Sequence, residues 1–305
     1  MTLPTSDEAR CSRLWQRDDL PAWGTASRAT FWVALEQPGP WGAKALTQSH
    51  LGPELGARLE ELCTRHGGRA VLVRRPGRSA DAGQDTRQVF VAGGLTAGQA
   101  WLGSRMISDV ADLLDWLESA APTLAETTQR PSWLEAAAPI VAVCANGRRD
   151  QCCALEGRAL AQQLAAMDPE ATWESSHLGG HRFAPTALVL PTGQSLARLT
   201  PTLAMGALVA AERGKAFTSG PHHDRGLSAL PPEQQVADVW ARAEGLGAWQ
   251  VDTTTDQTTP NSWRVRAGGR SATITLLTGP EELPSSCGKA AVPLTRYVVE
   301  DADHG

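Results

Sequence analysis

Sulfur and imidazole are the groups in this chain whose spacing admits chemistry. Cys144 ends an apolar run, the pair Cys152-Cys153 follows in ANGRRDQCC, and His177 and His181 flank Leu-Gly-Gly. The pattern predicts Cys144 at the end of a strand, Cys152-Cys153 at the start of a helix, and the two histidines in a loop between strands. Asp150 is suited to cap that helix. This puts Cys153 at its third position, where free backbone N–H groups and the positive helix end favour a thiolate. Gly157 interrupts the helix at a cost near ~1 kcal/mol, which points to a close helix-to-strand contact that a Cβ would block. Gly179 and Gly180 free the backbone between the imidazoles, so that both rings can face one centre.

Taken one at a time, Cys11, Cys63, Cys287, His50, His66 and His304 read as small hydrophobes or ordinary hydrogen-bonded side chains. His222-His223 reads as part of a solvated Gly/Pro linker. The set Cys144, Cys153, His177 and His181 differs, because two thiols and two imidazoles fall at the loop ends of one unit. Structural zinc is one use for such a set, although eight residues separate Cys144 from Cys153 where the usual knuckle is C-x2–4-C. A hydrolase of the H-E-x-x-H type needs Glu where this chain has Leu178. A mononuclear oxygenase site needs a carboxylate beside its two histidines. A thiol oxidoreductase acting through Cys144 or Cys152-Cys153 lacks C-x-x-C. A [2Fe–2S] centre with two Cys on one iron and two His on the other matches the inventory. The residues alone leave a zinc-stabilised binding module, a thiol oxidoreductase and an iron–sulfur centre open.

The elements that must position these residues repeat along the chain. Strand 30–35, a Gly/Pro loop (QPGPWG), helix 53–66, strands 70–73 and 88–92, a segment around Trp101 and helix 108–117 make a first unit. Strand 140–143, helix 150–167, strands 172–174, 187–190 and 196–199, and helix 203–213 repeat the order. A β-α-β unit, then a hairpin, then a helix is expected of a thioredoxin-like α/β sandwich. The fold class predicted is therefore α/β, with two thioredoxin-like repeats and a small α+β C-terminal appendage. The expected organisation is an N-terminal extension over 1–29, a first repeat without chemistry over 30–125, the repeat carrying the chemistry over 138–217, and the appendage over 227–305. Residues 218–226 are expected to be a linker. The appendage is expected to hold helix 232–244 and strands at 249–253, 263–266, 272–277 and 295–299, and to carry no chemistry.

Composition narrows the classes. The 305 residues carry 28 basic and 33 acidic side chains, a net charge of −5, with no long basic tract, so nucleic acid is not an expected partner. The longest apolar runs reach about half of the ~20 residues that cross a bilayer, and the N-terminus is polar and acidic, unlike a signal peptide. No membrane association and a cytoplasmic location are the expectation, with six cysteines kept as thiols in a reducing compartment. Eleven Trp against one Tyr is unusual; they are scattered and read mostly as core or interface fillers.

VCANGRRDQCCALEGRAL (143–160) followed by WESSHLGGHRFAPTALVLPTG (173–193) resembles the sucrase/ferredoxin-like family, which includes a fungal actin-patch-distribution redox protein, and QPGPWGAKAL (37–46) resembles the N-terminal signature of its bacterial members. The resemblance runs from about 30 to 215. It implies a thioredoxin-like ferredoxin whose [2Fe–2S] cluster is bound by Cys144, Cys153, His177 and His181, with Cys152 as the substitute for Cys153. It also implies a one-electron carrier, which needs a reductase and an electron acceptor as protein partners. Two imidazoles in place of two thiolates raise the formal cluster charge by two units and ease reduction. The outer imidazole nitrogens would make electron uptake proton-coupled. Arg148, Arg149 and Arg182 flank the ligands. A monomer is expected, the first repeat standing where single-repeat relatives place a partner subunit. The "sucrase" of the family name finds no sugar-site carboxylate pair in this sequence.

Overall fold

The computed structural model describes residues 10–77, 85–252 and 261–301. A short helix α1 (Cys11–Arg17) precedes β1 (Trp32–Glu36), α2 (Pro53–Arg65), β2 (Arg69–Arg74), β3 (Arg87–Gly93), β4 (Trp101–Ile107) and α3 (Val110–Ala120). A two-residue β5 (Glu135–Ala136) leads to β6 (Ile140–Cys144). A π-helical turn (Cys153–Gly157) runs into α4 (Arg158–Met167), and β7 (Thr172–Ser175), β8 (Ala187–Leu190), β9 (Gln194–Leu196) and α5 (Pro201–Glu212) follow. The chain continues through β10 (Asp224–Leu227), α6 (Pro232–Ala243), β11 (Trp249–Asp252), β12 (Ser262–Ala267), β13 (Arg270–Pro284) and β14 (Ala291–Asp301). His304 and residues 78–84 and 253–260, which include parts of the expected polar loop and of the expected strand 249–253, lie outside the described residues.

The first ten strands form one mixed sheet, ordered β10-β9-β8-β6-β7-β2-β1-β3-β4-β5. β1 runs parallel to β2 and antiparallel to β3, which pairs with β4. β6 repeats this wiring with β7, β8 and β9. The two halves meet at an antiparallel seam, Val73 opposite Ser175 and Arg74 opposite Glu174. Arg74 pairs with the buried Glu174 at 2.7 Å, and the Leu72 amide donates to Ser176 Oγ at 3.0 Å. β1 (WVALE) and β6 (IVAVC) are buried at every position, as suits strands covered on both faces.

Helix ends follow local chemistry. Asp109 caps α3 through the Ala111 amide, and Thr200 with Pro201 starts α5. In α2, Leu59, Leu62 and Cys63 form the buried stripe. One apolar core lies under α2 and α3, another under α4 and α5. A third joins Trp32, Phe90, Ile140 and Trp173 from both halves and includes Cys144 and Cys153.

Several expectations are corrected. The stretch expected to be a linker over 218–226 contains the start of β10, because Asp224 and Gly226 pair with β9 around a bulge at the buried Arg225. β9 begins at Gln194 and ends at Leu196, two residues before Arg198 takes a positive φ, so of the expected strand 196–199 only Leu196 stays in the sheet. β4 is a full strand although Gly103 and Ser104 break its apolar alternation. The appendage is a four-stranded antiparallel sheet, β11-β12-β13-β14, under α6, and its β13–β14 hairpin is far longer than the apolar cores 272–277 and 295–299. Among the described residues no helix is long and apolar enough to cross a membrane.

Candidate metal centre

Strand β6 and the helix after it present two sulfurs to each other. Cys144 Sγ, at the last residue of β6, stands 3.3 Å from Cys153 Sγ, and both side chains are buried. Asp150 caps that helix by accepting the Cys152 amide at 2.8 Å. The five residues Cys153–Gly157 form a π turn, a feature frequent at functional sites. Gly157 faces the end of β6, and a Cβ there would run into the Cys144 carbonyl oxygen, which accounts for glycine in this turn.

The second pair arrives on the β7–β8 connection. Gly179 and Gly180 have φ of 80° and 71°, a region L side chains rarely adopt, and this doubles the chain back between the two histidines. The rings of His177 and His181 lie 5.2 Å apart between centroids. The donor atoms of Cys144, Cys153 and His177 all lie within 4.8 Å of one another. His177 Nδ1 and His181 Nδ1 are buried with no hydrogen-bond partner, while His181 Nε2 stands 3.6 Å from Asp150 Oδ2. A carboxylate beside one ring nitrogen, with the other nitrogen unpartnered, is the arrangement that orients a metal-binding imidazole.

The electrostatics favour the ligand forms of Cys144 and His181 and, without a metal, keep Cys153 a thiol, contrary to the thiolate expected at the helix start. The hydrogen bond between the two sulfurs holds the Cys144 pKa well below the ordinary thiol range; burial opposes this, and His177 and the Leu178 amide reinforce it. Cys153 is correspondingly pushed up, by that same bond and by burial. Burial lowers the His181 pKa, aided by His177 and Arg182 and opposed by Asp150 and Cys144, so the neutral ring predominates. At Asp150 burial raises the pKa, but the Cys152 amide, His181, Ser286 and the Cys287 amide outweigh it and the net shift is downward.

Arg225 of β10 is 2% exposed and lies under the histidine loop. It donates to the Gly179 carbonyl at 3.0 Å, to Thr25 Oγ1 at 3.1 Å and to the Thr25 carbonyl. Burial, then Arg182, brings its pKa down to about 9, against the attraction of Cys144 and Cys153. Among the described residues it has no carboxylate partner, so the sulfur pair supplies the negative charge that a buried guanidinium seeks. Of the flanking cations, Arg182 is held over the Trp15 and Phe183 rings, whereas Arg148 and Arg149 are exposed. A polar cleft of about 590 Å³ between the Gly39–Trp41 loop and Ala145–Arg148 adjoins the end of β6, but none of the four Cys and His side chains lines it.

Cys152, adjacent in sequence, belongs to a different group. Its Sγ is 3.5 Å from Cys11 Sγ and 3.2 Å from Cys287 Sγ, and the last two are 3.5 Å apart. The reading of Cys11 and Cys287 as isolated small hydrophobes is thereby corrected. The turn of the long β13–β14 hairpin carries Cys287 over Asp150, whose Oδ2 accepts the Ser286 hydroxyl and the Cys287 amide. The doublet Cys152-Cys153 was the only signal in the sequence. On a helix, neighbouring side chains point in directions ~100° apart, so two adjacent cysteines serve two places.

A family model described as sucrase/ferredoxin-like matches residues 22–218, more than half of the 305-residue chain. No curated protein and no solved structure matches it.

Proposed function

The chain belongs to the sucrase/ferredoxin-like family, and from that premise we propose that it is an electron carrier whose [2Fe–2S] cluster is held by Cys144, Cys153, His177 and His181. The donor set carries the reading. Two buried sulfurs stand 3.3 Å apart, one of them favoured as thiolate, beside two imidazoles that each keep a buried nitrogen without a partner. Bound there, the cluster would supply reversible uptake of one electron.

The chain's own residues do the rest. Cys144 and Cys153 sit in the core shared by both halves of the sheet, which keeps water from the sulfurs. Asp150, 3.6 Å from His181 Nε2, favours a proton on that outer nitrogen. Arg225 places a positive charge beneath the site and offsets the charge of the thiolates and of an added electron. The half-buried imidazoles are the more exposed ligands, so they mark the face on which a reductase and an electron acceptor would dock.

The repeated wiring supports a finer description of the fold as two thioredoxin-like sandwiches, about 30–125 and 138–217, of which the second holds the cluster. Because the β2–β7 seam already joins the two halves edge to edge within one chain, we expect a monomer. Sedimentation at micromolar concentration tests this, and a stable dimer would contradict it.

The cofactor assignment has a direct test. Protein purified without oxygen is expected to be red-brown, with iron and acid-labile sulfide in equal amounts of about two each per chain. A colourless protein with zinc on these four residues would overturn the assignment.

A further inference from the structure

Three cysteines that the proposed cluster does not use converge from distant parts of the chain. Cys11 lies on α1, Cys152 at the start of the cluster-binding helix, and Cys287 in the β13–β14 turn, separated in sequence by 141 and 135 residues. Their sulfurs form a triangle with sides of 3.2, 3.5 and 3.5 Å, and with Asp150 the four donor atoms lie within 4.8 Å of one another. Cys11 and Cys152 are buried, and Cys287 is partly buried.

We infer that Cys11, Cys152 and Cys287, with the Asp150 carboxylate as the fourth donor, form a second metal site that binds one zinc ion. Tetrahedral zinc with bonds of ~2.3 Å to sulfur separates its sulfurs by ~3.8 Å, so each Sγ needs to move outward only by a few tenths of an ångström. Three sulfurs in mutual contact, with a carboxylate oxygen beside them, outline the coordination sphere of a single ion. Neutral thiols are weak hydrogen-bond donors and gain little from being buried against one another, so zinc gives the triangle a physical reason.

The surroundings hold the donor atoms in place. The Ser12 backbone amide, on α1, reaches the Cys152 sulfur. The Cys11 amide bonds the Cys287 sulfur. Asp150 is oriented by the Cys152 and Cys287 amides and by Ser286. Such bonds to ligand atoms are the outer shell that tunes a metal site. Outside the triangle, Glu156 of the π turn accepts Ser12 Oγ at 2.8 Å and pairs with Arg10 at 3.4 Å, which seats α1 on the cluster-binding helix. Zinc here would staple α1 and the appendage to the helix that carries Cys153, and its binding free energy would add to folding stability.

The test uses the full chain, purified anaerobically without chelators, with zinc and iron measured separately. We expect about one zinc per chain in addition to the cluster iron. Cys11→Ser and Cys287→Ser should each lose at least nine-tenths of the zinc and keep the iron and the visible spectrum; Cys144→Ser should lose the iron and keep the zinc. If a variant does not fold, stepwise titration of the wild type with a mercurial reagent replaces it, zinc being released as three thiols react. Wild-type protein without zinc, zinc unaffected by Cys11→Ser, or a disulfide within the triangle in protein kept from oxygen would overturn the proposal. Failure of the cluster assignment shows in iron and colour, failure of this one in zinc.

Discussion

Cys153→Ser protein, purified without oxygen, is expected to be colourless, whereas Cys152→Ser protein keeps its red-brown colour. The two residues are neighbours of the same type, so composition and burial predict no difference; both are at most 1% exposed. Position decides. Cys153 Sγ is 3.3 Å from Cys144 and shares donor distance with His177, while Cys152 Sγ faces Cys11 and Cys287. Removing an outer-shell partner of a metal commonly costs 10–100-fold in affinity, and removing a ligand should cost at least the upper figure. Iron, labile sulfide and the visible spectrum read the outcome. Colour kept in Cys153→Ser and lost in Cys152→Ser would reverse the ligand assignment.

Gly157→Ala should lose both stability and cluster. In a helix the change normally gains close to ~1 kcal/mol. Here the added Cβ meets the carbonyl oxygen of Cys144, an atom of strand backbone that cannot rotate away. Overpacking of this kind costs ~1–3 kcal/mol or more. We expect a net loss of about 2 kcal/mol, which for a structure of this size lowers Tm by roughly 3 °C. The strand that must yield is the one bearing Cys144, so iron content should fall in parallel. Thermal unfolding and metal analysis of Gly157→Ala decide the matter, and an unchanged Tm with full iron would show that the helix and strand are not in contact.

The parts of the molecule that periodicity can see were legible. The apolar runs of β1 and β6, the stripe of α2 and the Asp150 cap are written in neighbouring residues, and so was the glycine that marks the helix–strand contact. The Cys and His residues at loop ends pointed to metal chemistry for the same reason. What escaped depends on partners far away in the chain. Arg225 looks like a linker residue until β10 pairs with β9 and places it beneath Gly179. The outer half of the β13–β14 hairpin is polar and largely exposed, with no alternation to betray a strand, yet it delivers Cys287. Cys11 lies in a seven-residue helix too short to announce itself, held by Ser12, Trp15 and Arg10 against residues about 140 or more positions later in the chain.

The three-cysteine triangle also sets a timetable for biosynthesis. Cys11 and Cys287 are 276 residues apart, and at synthesis rates of roughly 5–20 residues per second the first waits on the order of 15–55 s for the last. During that interval the helix bearing Cys153 has been made but lacks the hairpin turn that completes the surroundings of Asp150 and, through it, of His181. The hydrogen bonds around Asp150 are therefore complete only after the hairpin turn has been made. A nascent chain stalled before Ser286 would hold Asp150 without two of its hydrogen bonds.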